Sequence, residues 1–320
     1  MRVLITGATG YLGRTLVRAF HAAGHDTVAF SRHATASDLP GHRVDGDVRD
    51  GAAVSRAASG CQAICHSAAL VSVWRKRREE FDEVNVGGLR NVMAAARDAG
   101  ITRVVYTSSF LALPPAGASA PGRWNDYQRT KVVADEVATR FVADGAPLMR
   151  TYPGVIYGPG IRTDGNLVGG MIADHLAGRL PGIVGANCVW SYAWVEDVAA
   201  AHVTAIERGQ PGARYLLGGE NARQMRVFEL VREATGRRLP IRIPGAAASL
   251  VGLLEEFRAN ITGRPPLLTA GTVEILTRDW PLDSECAQRD LGYRVTPLRD
   301  GIARVLDQLQ SPEPGEGRSA

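Results

Sequence analysis

The chain has 320 residues, of which 37 are Lys or Arg and 33 are Asp or Glu, so its formal net charge is +4. That length suits either a single large domain or a chain divided into two regions, and so small a charge gives no reason to expect a nucleic-acid partner. No run of apolar residues is long enough to span a bilayer, and the four cysteines lack the spacing of a zinc site.

Two further features bear on where the protein works. The chain starts directly with a predicted strand, so we expect no signal peptide. Cys61 and Cys65 flank or enter a predicted buried strand, and they are expected to be reduced core residues. Together these features favour a cytoplasmic protein with no metal and no integral membrane segment.

The opening stretch, MRVLITGATGYLG, predicts a short apolar strand, a glycine-rich turn and an amphipathic helix over about 11–23. Gly7 allows a tight turn, Gly10 lets the backbone approach a pyrophosphate, and Gly13 lets the helix lie close on the strand. The free N–H groups at the start of the helix favour an anion. This arrangement is typical of a dinucleotide-binding unit; the alternative is a sharp strand–helix turn without a ligand.

The residues after the second predicted strand, 26–30, bear on the choice of cofactor. Ser31, Arg32 and His33 follow this strand, and no acidic residue occurs before Asp38. An acid here would bond the adenosine ribose, whereas a base would pair with a 2′-phosphate. The sequence therefore favours NADP(H), with Arg32 as the phosphate partner, over NAD(H); the alternative is that Arg32 is an ordinary surface arginine.

Two further strands are predicted to end beside the same cofactor. After the third, within 42–48, a carboxylate can accept from an adenine amino group; after the fourth, over 63–66, small residues let a ribose lie against backbone. The residues expected to make these contacts are Asp47 and Val48 in the first case and Ser67, Ala68 and Ala69 in the second.

The helix predicted over 81–99 has apolar residues at helical spacing, with Asn85 among them. Asn85 either bonds local backbone or is a buried group that holds water beside the active site. A fifth strand, over 103–106, then delivers the sequence Thr-Ser-Ser at 107–109 to its carboxyl end. In an open parallel sheet, ligands bind at that edge.

Tyr127 and Lys131 are four residues apart, a spacing that places both side chains on one face of a helix. A tyrosine with a pKa near ~10 is a poor base at neutral pH, but a nearby ammonium favours the phenolate. A serine hydroxyl at the end of the fifth strand can donate to a substrate oxygen. This set suits hydride transfer at a carbinol carbon, with Tyr127 as general acid/base.

The pattern predicts a dinucleotide-binding domain over 1–157, with a returning segment at about 189–207. Residues 158–310 are assigned mainly to substrate binding, and the composition of 311–320 is typical of a disordered tail. Asp197 is expected to cap the helix that it opens.

A markedly apolar helix is predicted over 246–257, and it is too short to span a membrane. We expect it in the core or as the roof of a pocket; membrane contact or dimerisation is the alternative.

These motifs resemble those of the extended short-chain dehydrogenases/reductases, within the NAD-dependent epimerase/dehydratase superfamily. The matching segments cover nearly the whole chain, and they are 6–13 (TGATGYLG), 47–48 (DV), 85–88 (NVGG), 107–109 (TSS), 127–131 (YQRTK), 152–160 (YPGVIYGPG) and 194–198 (WVEDV). Within that family the chain is most similar to the dihydroflavonol-reductase-like branch, with plant farnesol dehydrogenases nearest. Those plant enzymes are associated with NAD, whereas Arg32 here favours NADP(H).

The resemblance implies an α/β fold with a Rossmann doubly wound parallel sheet and a smaller, mostly C-terminal substrate-binding region. It implies that Ser109 is the better catalytic serine, with Ser108 adjacent, and that backbone near Pro153 and Val155 meets the nicotinamide. It also extends the cofactor site beyond the glycines to Thr9, Tyr11, Leu12, Thr107, Tyr127 and Lys131.

Two enzyme classes fit the sequence. The first is an oxidoreductase that interconverts a small apolar alcohol (terpenoid, prenyl or polyketide-like) and its aldehyde or ketone, with a homodimer as one option. The second is a nucleotide-sugar epimerase or dehydratase with tightly bound NAD(P), for which Arg162 and Arg179 are available to a pyrophosphate. A redox-inactive binding protein is a third option, against which the intact Ser, Tyr and Lys argue.

For an apolar substrate, the proposed pocket residues are Trp74, Phe110, Leu111, Met171, Tyr192 and Leu254.

Overall fold

The structure is a computed structural model that describes residues 1–310; the predicted disordered tail lies outside the described residues. Its strands are β1 (Arg2–Thr6), β2 (Asp26–Ser31), β3 (His42–Asp45), β4 (Ala63–His66), β5 (Arg103–Thr107), β6 (Leu148–Pro153), β7 (Val155–Tyr157), β8 (Ile183–Val184), β9 (Val189–Trp194), β10 (Arg214–Leu217), β11 (Glu220–Arg223) and β12 (Arg242–Ile243).

The α-helices are α1 (Tyr11–Ala22), α2 (Gly51–Ala58), α3 (Glu79–Asp82), α4 (Gly88–Asp98), α5 (Asp126–Ala143), α6 (Leu167–Leu176), α7 (Val195–Arg208), α8 (Gln224–Thr235), α9 (Gly245–Thr262), α10 (Ala270–Leu276), α11 (Glu285–Leu291) and α12 (Leu298–Gln310). A π-helical turn, Glu83–Gly87, joins α3 to α4, and a 3₁₀ turn spans Phe110–Ala112.

Seven parallel strands form the central sheet in the order β10-β6-β5-β4-β1-β2-β3. The chain starts in the middle, builds to one edge and then returns to build to the other. This is the doubly wound Rossmann arrangement, in which ligands bind where the strand order reverses, between β1 and β4. The predicted fold class is confirmed.

Helices cover both faces of this sheet because its strands are apolar on both sides. Val3 and Ile5 of β1 pack with α1 and α7 on one face, and Leu4 packs with α2, α4 and α5 on the other. All three side chains are fully buried, and burying a side chain of this size contributes roughly 1.5–3 kcal/mol. The packing fixes the strand ends that carry the candidate site.

A smaller region lies beyond the carboxyl ends of these strands. In it, β9 pairs in parallel with β7 and antiparallel with β11, and β8 pairs with β12. The segment predicted to return at 189–207 is therefore divided, because β9 belongs to the smaller sheet. The return to the central sheet consists of α7 and β10, and it ends at Leu217.

Three local expectations are corrected. The third strand ends at Asp45, so Asp47 and Val48 lie in the turn that follows it. The helix expected from residue 81 begins at Glu79 and contains the π-helical turn around Asn85. Asp197 does not cap α7, whose N-cap is Trp194; its carboxylate accepts from the backbone N–H of Thr296 at 2.7 Å.

The expectation that the apolar helix α9 lies in the core or roofs the pocket is wrong. Its small residues, Ala248, Gly252 and Ala259, are buried, whereas its large ones, including the proposed pocket residue Leu254, are exposed. The reason is the close contact with α10: a Cβ on Gly252 would lie 2.6 Å from the backbone nitrogen of Ala270. Within residues 1–310 no helix is long and apolar enough to cross a membrane.

Candidate functional site

The glycine-rich turn after β1 has the geometry that a dinucleotide requires. Gly7 has a φ of 72°, and a Cβ on it would lie 2.7 Å from Cα of Ala68. A Cβ on Gly13 would lie 2.0 Å from the Gly7 carbonyl oxygen, so only glycine lets α1 approach the turn this closely. These two glycines have structural roles.

Gly10 differs, because a Cβ on it would meet only the Gly7 carbonyl oxygen, at 3.2 Å, and otherwise open space. Gly10 is also the N-cap of α1, and it supplies no side chain to bond the N–H groups of the first turn. An exposed helix N-terminus of this kind favours an anion. The residues present therefore fit the pyrophosphate of NAD(P).

Hydrogen bonds join the ends of β1 and β4 beside this turn. The Thr6 hydroxyl lies 2.7 Å from Nδ1 of His66 and accepts from the backbone N–H of Ala68 at 3.3 Å. The Ser67 hydroxyl donates to the Thr6 carbonyl oxygen at 2.8 Å. The segment 67–69 is thereby fixed at the reversal point of the sheet, where the sequence analysis placed a ribose.

The other residues of the glycine segment contribute in different ways. Tyr11 is buried, with its ring against Gly158 and Gly160, so its backbone rather than its side chain can meet a cofactor. Leu12 packs partly buried against the core below the sheet. The Thr9 hydroxyl donates to the Ser31 hydroxyl at 3.1 Å and joins the turn to the end of β2.

The region past β2, where the adenosine end is expected, is rich in arginine. Arg32 is exposed, and its charge is among the causes that lower the pKa of Asp47. Arg14 and Arg18 both pair with Asp38. Asp38 is therefore engaged by two cations, which leaves Arg32 as the candidate partner for a 2′-phosphate.

Asp47 is engaged mainly by a neighbouring arginine. Its carboxylate accepts from the backbone N–H of Arg49 at 2.9 Å and from the Arg49 guanidinium at 2.7 Å, and the bond to that side chain is the main cause that lowers the Asp47 pKa. Val48 beside it is buried, and it packs against Gly88 at the start of α4. An adenine amino group would therefore meet a carboxylate that is already held in place.

Helix α5 carries the predicted tyrosine and lysine. Asn125 caps it by accepting from the backbone N–H of Gln128 at 2.8 Å, and Gln128 in turn donates to the Leu111 carbonyl oxygen at 3.3 Å. These bonds fix the first turn of α5 against the loop that follows β5. Tyr127 and Lys131 consequently lie one turn apart on the side of the helix that faces the strand ends.

Lys131 is almost fully buried, and its ammonium donates to the Thr107 carbonyl oxygen at 3.0 Å. It also lies 5.4 Å from the centre of the Tyr106 ring. Burial lowers the pKa of Lys131 to about 8, and the negative charge of Asp135, one turn further along α5, opposes that shift. The ammonium is therefore mostly charged at neutral pH and loses its charge in mildly alkaline solution.

Tyr127 shows a shift opposite to the one the sequence analysis expected. Burial raises the pKa of Tyr127 to about 12, and a hydrogen bond involving Ser109 opposes the rise. Lys131 is not among the causes that act on this pKa in the structure. The phenol is thus protonated at neutral pH, which suits a proton donor.

The two adjacent serines point to different partners. The Ser109 hydroxyl accepts from the Leu111 N–H at 3.2 Å, and it is a cause that lowers the pKa of Tyr127. The Ser108 hydroxyl instead donates to Asp135 at 3.3 Å, a carboxylate that also accepts from the Tyr152 hydroxyl at 2.6 Å. Ser109 therefore acts on the pKa of Tyr127, and Ser108 does not.

Asn85 bonds backbone, although not the local backbone of its own helix. Its side chain accepts from the Leu70 N–H at 2.7 Å and donates to the Leu70 carbonyl at 3.3 Å and to the Thr130 hydroxyl at 2.9 Å. Thr130 lies between Tyr127 and Lys131 along α5. Asn85 therefore ties the loop after β4 to the helix that carries the candidate catalytic pair.

Sequence reasoning missed His202 and Asp135, which support this site from outside it. His202 is fully buried on α7, with Nε2 at 3.0 Å from the hydroxyls of both Thr107 and Thr151. The side chain of Thr107 is thus turned toward α7, and only its carbonyl faces Lys131. No local motif marks His202 or Asp135, because their partners are distant in sequence.

An apolar pocket lies beside Val155, which pairs with Tyr192 in the smaller sheet. Its lining residues are Val155, Leu167, Val168, Met171, Ile183, Trp190, Tyr192, Gln224, Val227, Phe228 and Leu276. The free space inside it is about 20 Å³, roughly the room that one water molecule needs. Met171 and Tyr192 were predicted, whereas the residues from α8 and α10 were not.

Three other predicted pocket residues do not line this space. Phe110 and Leu111 are buried in the core behind it, where the Phe110 ring packs 5.4 Å from that of Trp280 and 5.9 Å from that of Trp190. Trp74 lies half-buried on the loop after β4.

The backbone between Pro153 and Val155 was expected to meet the nicotinamide. It is held in place because the Gly154 N–H donates to the Leu217 carbonyl at 3.0 Å.

The cations considered for a nucleotide sugar are already paired. Arg162 and Arg179 both bond Asp174, at 2.7 and 2.8 Å. In the basic run after Trp74, Arg77 pairs with Glu83, and Arg78 pairs with Asp126 at the start of α5.

Comparison with known proteins establishes the family. Residues 3–218 match the NAD dependent epimerase/dehydratase family, and the chain belongs to it. Sterol demethylase protein B of Methylococcus capsulatus is 33% identical over 324 residues, covering 96% of this chain and 97% of that protein. The 3 beta-hydroxysteroid dehydrogenase/Delta 5-->4-isomerase of Mycobacterium tuberculosis is 33% identical over 321 residues, covering 91% and 85%.

Among solved structures, MoeE5 in complex with UDP-glucose and NAD is similar, with a TM-score of 0.77 and 26% identity over 97% of this chain and 99% of that one. The resemblance to extended short-chain dehydrogenases/reductases is confirmed. The chain is an NAD(P)-dependent oxidoreductase of this family, acting on CH–OH or carbonyl groups.

Proposed function

We propose that the enzyme interconverts an apolar alcohol of terpenoid, prenyl or polyketide type, sterols included, and its carbonyl form, with Tyr127 as general acid/base. The observation that carries this proposal is that Tyr127, whose pKa Ser109 lowers, packs against the apolar cluster to which the pocket residues Val155 and Tyr192 belong. The two relatives named for sterol or hydroxysteroid chemistry support an apolar substrate.

The cofactor contacts are proposed from the fit of the strand ends. Backbone of 7–13 would hold the pyrophosphate, Asp47 the adenine, and backbone of 67–69 a ribose. When bound, the nicotinamide supplies or accepts the hydride. The preference for NADP(H) rests on Arg32, which has no carboxylate within salt-bridge distance among the described residues.

The side chains have distinct proposed roles. Ser109 donates a hydrogen bond to the substrate oxygen and fixes it beside the phenol. Tyr127, protonated at neutral pH because burial raises its pKa to about 12, donates its proton to that oxygen during carbonyl reduction. Lys131 holds a ribose hydroxyl. A phenol that is protonated at neutral pH is in the state that carbonyl reduction requires.

The first test measures nicotinamide absorbance with purified enzyme, NADPH or NADH, and a panel of prenyl, terpenoid and steroid alcohols, aldehydes and ketones. We expect turnover with an apolar carbonyl and a lower KM for NADPH than for NADH. Arg32→Ser should raise the KM for NADPH about tenfold, since one charge–phosphate contact is lost, and leave that for NADH unchanged. An unchanged KM for NADPH would show that Arg32 does not contact the 2′-phosphate.

Tyr127→Phe tests the mechanism directly. Loss of a general acid lowers kcat by about 10²–10⁴, while NADPH binding, followed by nicotinamide fluorescence, should stay within a few-fold. The matched control is Tyr293→Phe, because the Tyr293 hydroxyl is buried without a hydrogen-bond partner. Unchanged turnover in Tyr127→Phe would contradict the mechanism.

The alternative, a nucleotide-sugar epimerase or dehydratase, draws its support from the likeness to MoeE5. The pairing of Arg162 and Arg179 with Asp174 weighs against it. An epimerase keeps its cofactor through each turnover, so it would be purified with NAD(P) bound. Retention of cofactor on purification, together with silence across the apolar panel, would favour this second function.

A further inference from the structure

Helix α9 presents its large apolar side chains to solvent along one face. At 100° per residue these side chains, apart from that of Val251, fall within an arc of roughly 120°. The α9 face consists of Ala246, Ala247, Leu250, Leu253, Leu254, Phe257 and Ile261. Leu254, Phe257 and Ile261 are 62%, 68% and 69% exposed, and no charged residue interrupts the arc.

The burial pattern of α9 is the reverse of that of an ordinary surface helix. Its inward face is made of Ala248, Gly252 and Ala259, which pack against α10 and the β8–β12 pair. Helices that cover a core turn their large apolar residues inward. Two further exposed apolar side chains stand next to the helix in the sequence, Ile241 before it and Leu267 after it. A helix face of large exposed apolar side chains marks a site of association.

Exposed arginines precede and follow α9 in the sequence. They are Arg237, Arg238 and Arg242 before the helix and Arg264 after it. Among the described residues none of the four has a carboxylate within salt-bridge distance, although nearby Arg258 pairs with Glu255. These charges are available to an anionic partner.

We propose that the α9 face, with Ile241, Leu267 and the four arginines, docks the enzyme on an anionic lipid bilayer. The helix would lie in the plane of the interface with its apolar arc among the acyl chains, as amphipathic interfacial helices do. From residue 246 to 261 it measures about 23 Å at 1.5 Å per residue, too short to cross the hydrocarbon core. The arginines would contact lipid phosphates at the rim.

Charge and composition favour an anionic bilayer over two other occupants of the α9 face, a second copy of the chain and the C-terminal segment. In a twofold dimer through the same face, arginines at one end of α9 would oppose arginines of the second copy whether the helices ran parallel or antiparallel. The C-terminal segment SPEPGEGRSA contains no Leu, Ile, Val or Phe with which to cover an apolar arc. An anionic bilayer satisfies both the apolar arc and the basic rim.

The position of α9 connects this surface with the candidate site. Helix α10, on which α9 packs, contributes Leu276 to the apolar pocket. At its other end, α10 contacts the start of α5, where the Asn125 side chain lies 3.4 Å from the Thr272 hydroxyl. One helix thus separates the α9 face from both the pocket and the helix that carries Tyr127. The lipid proposal itself requires neither the substrate nor the catalytic role to be as proposed.

The test is co-sedimentation of the full-length protein with phosphatidylcholine vesicles, with and without phosphatidylglycerol, at physiological salt. We expect binding to the vesicles that contain phosphatidylglycerol, and a loss of at least tenfold in the double variant Leu254→Glu/Phe257→Glu. Arg242→Gln/Arg264→Gln should weaken binding about fivefold for each charge removed. The control Ala303→Glu/Leu309→Glu adds the same charge to exposed positions of α12 and should bind like the wild type.

Folding of each variant is checked by its thermal transition and by its binding of NADPH. Sedimentation velocity without vesicles separates a lipid surface from a dimer interface. Wild-type protein that ignores both vesicle types, or binding that survives the double variant, would overturn the proposal. So would a wild-type dimer that the same double variant dissociates into monomers.

Discussion

The two sides of the candidate site are built by different means. On the cofactor side, backbone and side chains are fixed by short hydrogen bonds, such as Lys131 to the Thr107 carbonyl and Thr6 to His66. On the proposed substrate side, the lining is almost wholly apolar, and the amide of Gln224 donates to the Leu276 carbonyl at 2.7 Å. Under the proposed function, directional bonds set the reaction chemistry, whereas shape sets the choice of substrate.

On the cofactor side, the largest effect is expected from the replacement of Ser109. Ser109→Ala should lower kcat by about 10²–10³, because a donor to the substrate oxygen is lost. Ser108→Ala, the matched control, should change kcat less than tenfold, since Ser108 bonds Asp135 and not Tyr127. Steady-state kinetics at saturating cofactor measure both. Equal losses in the two variants would show that the strand end is not directionally fixed.

Acid stability offers a second way to test how firmly this side is held. Burial lowers the pKa of His66 to about 3 and that of His202 to about 4, so both stay neutral in the folded state. Their stabilising contribution is complete above about pH 6.5 and is lost as pH falls, because the unfolded chain takes up the protons.

Each of these histidines should lower the free energy of unfolding by about 1.4 kcal/mol for each pH unit below 6.5, or by about 2 kcal/mol in all at pH 5. His202→Gln should flatten the dependence of the unfolding free energy on pH, as measured by urea denaturation between pH 7 and pH 5. Exposed His33→Gln is the control and should leave the slope unchanged. A steep slope that persists in His202→Gln would place the acid-sensitive group elsewhere.

The apolar side should respond to volume rather than to polarity. Met171→Phe narrows a pocket with little free space, and we expect the KM of a bulky substrate to rise about tenfold. The KM for the cofactor should not change, because Met171 faces the pocket. Met171→Leu, of similar volume, serves as control. A change confined to cofactor binding would mean that the pocket is not the substrate site.

The smallest expected effect concerns the charge state of Lys131. Removing the negative charge in Asp135→Asn should lower the Lys131 pKa below about 8, because that charge supports the ammonium. The alkaline limb of the kcat profile then moves to lower pH, with a loss of about threefold at pH 8. The control Glu136→Gln, at an exposed neighbouring position, should leave the alkaline limb in place. If the limb does not move in Asp135→Asn, the charge of Lys131 does not cause the pH dependence of kcat.

The features that the sequence predicted are local ones. The glycine turn and the Tyr127–Lys131 pair are encoded within a few residues, so their spacing is enough to place them on a turn and on one helix face. Ser109 could not be separated from Ser108 by spacing, because adjacent residues at a strand end point in opposite directions. His202 and Asp135 act on partners brought near only by the folded sheet.

The burial of α9 was misjudged for a related reason. Its sequence shows that the helix has a large apolar face and a small one, but not which of them meets the protein. The close approach to α10 at Gly252 decides that, and it is a tertiary contact. The third strand was extended too far because Asp47 and Val48 read as strand residues, whereas the chain turns after Asp45.

The small free volume between α6 and α8 also has a thermodynamic consequence. A space of about 20 Å³ holds so little water that an apolar molecule entering it displaces almost none. Release of water from the pocket then contributes little, and dispersion contacts made as Met171 and Phe228 re-pack around the ligand add to the gain from the ligand's own desolvation. Calorimetry of substrate binding should accordingly record release of heat near 25 °C rather than an entropy-driven association.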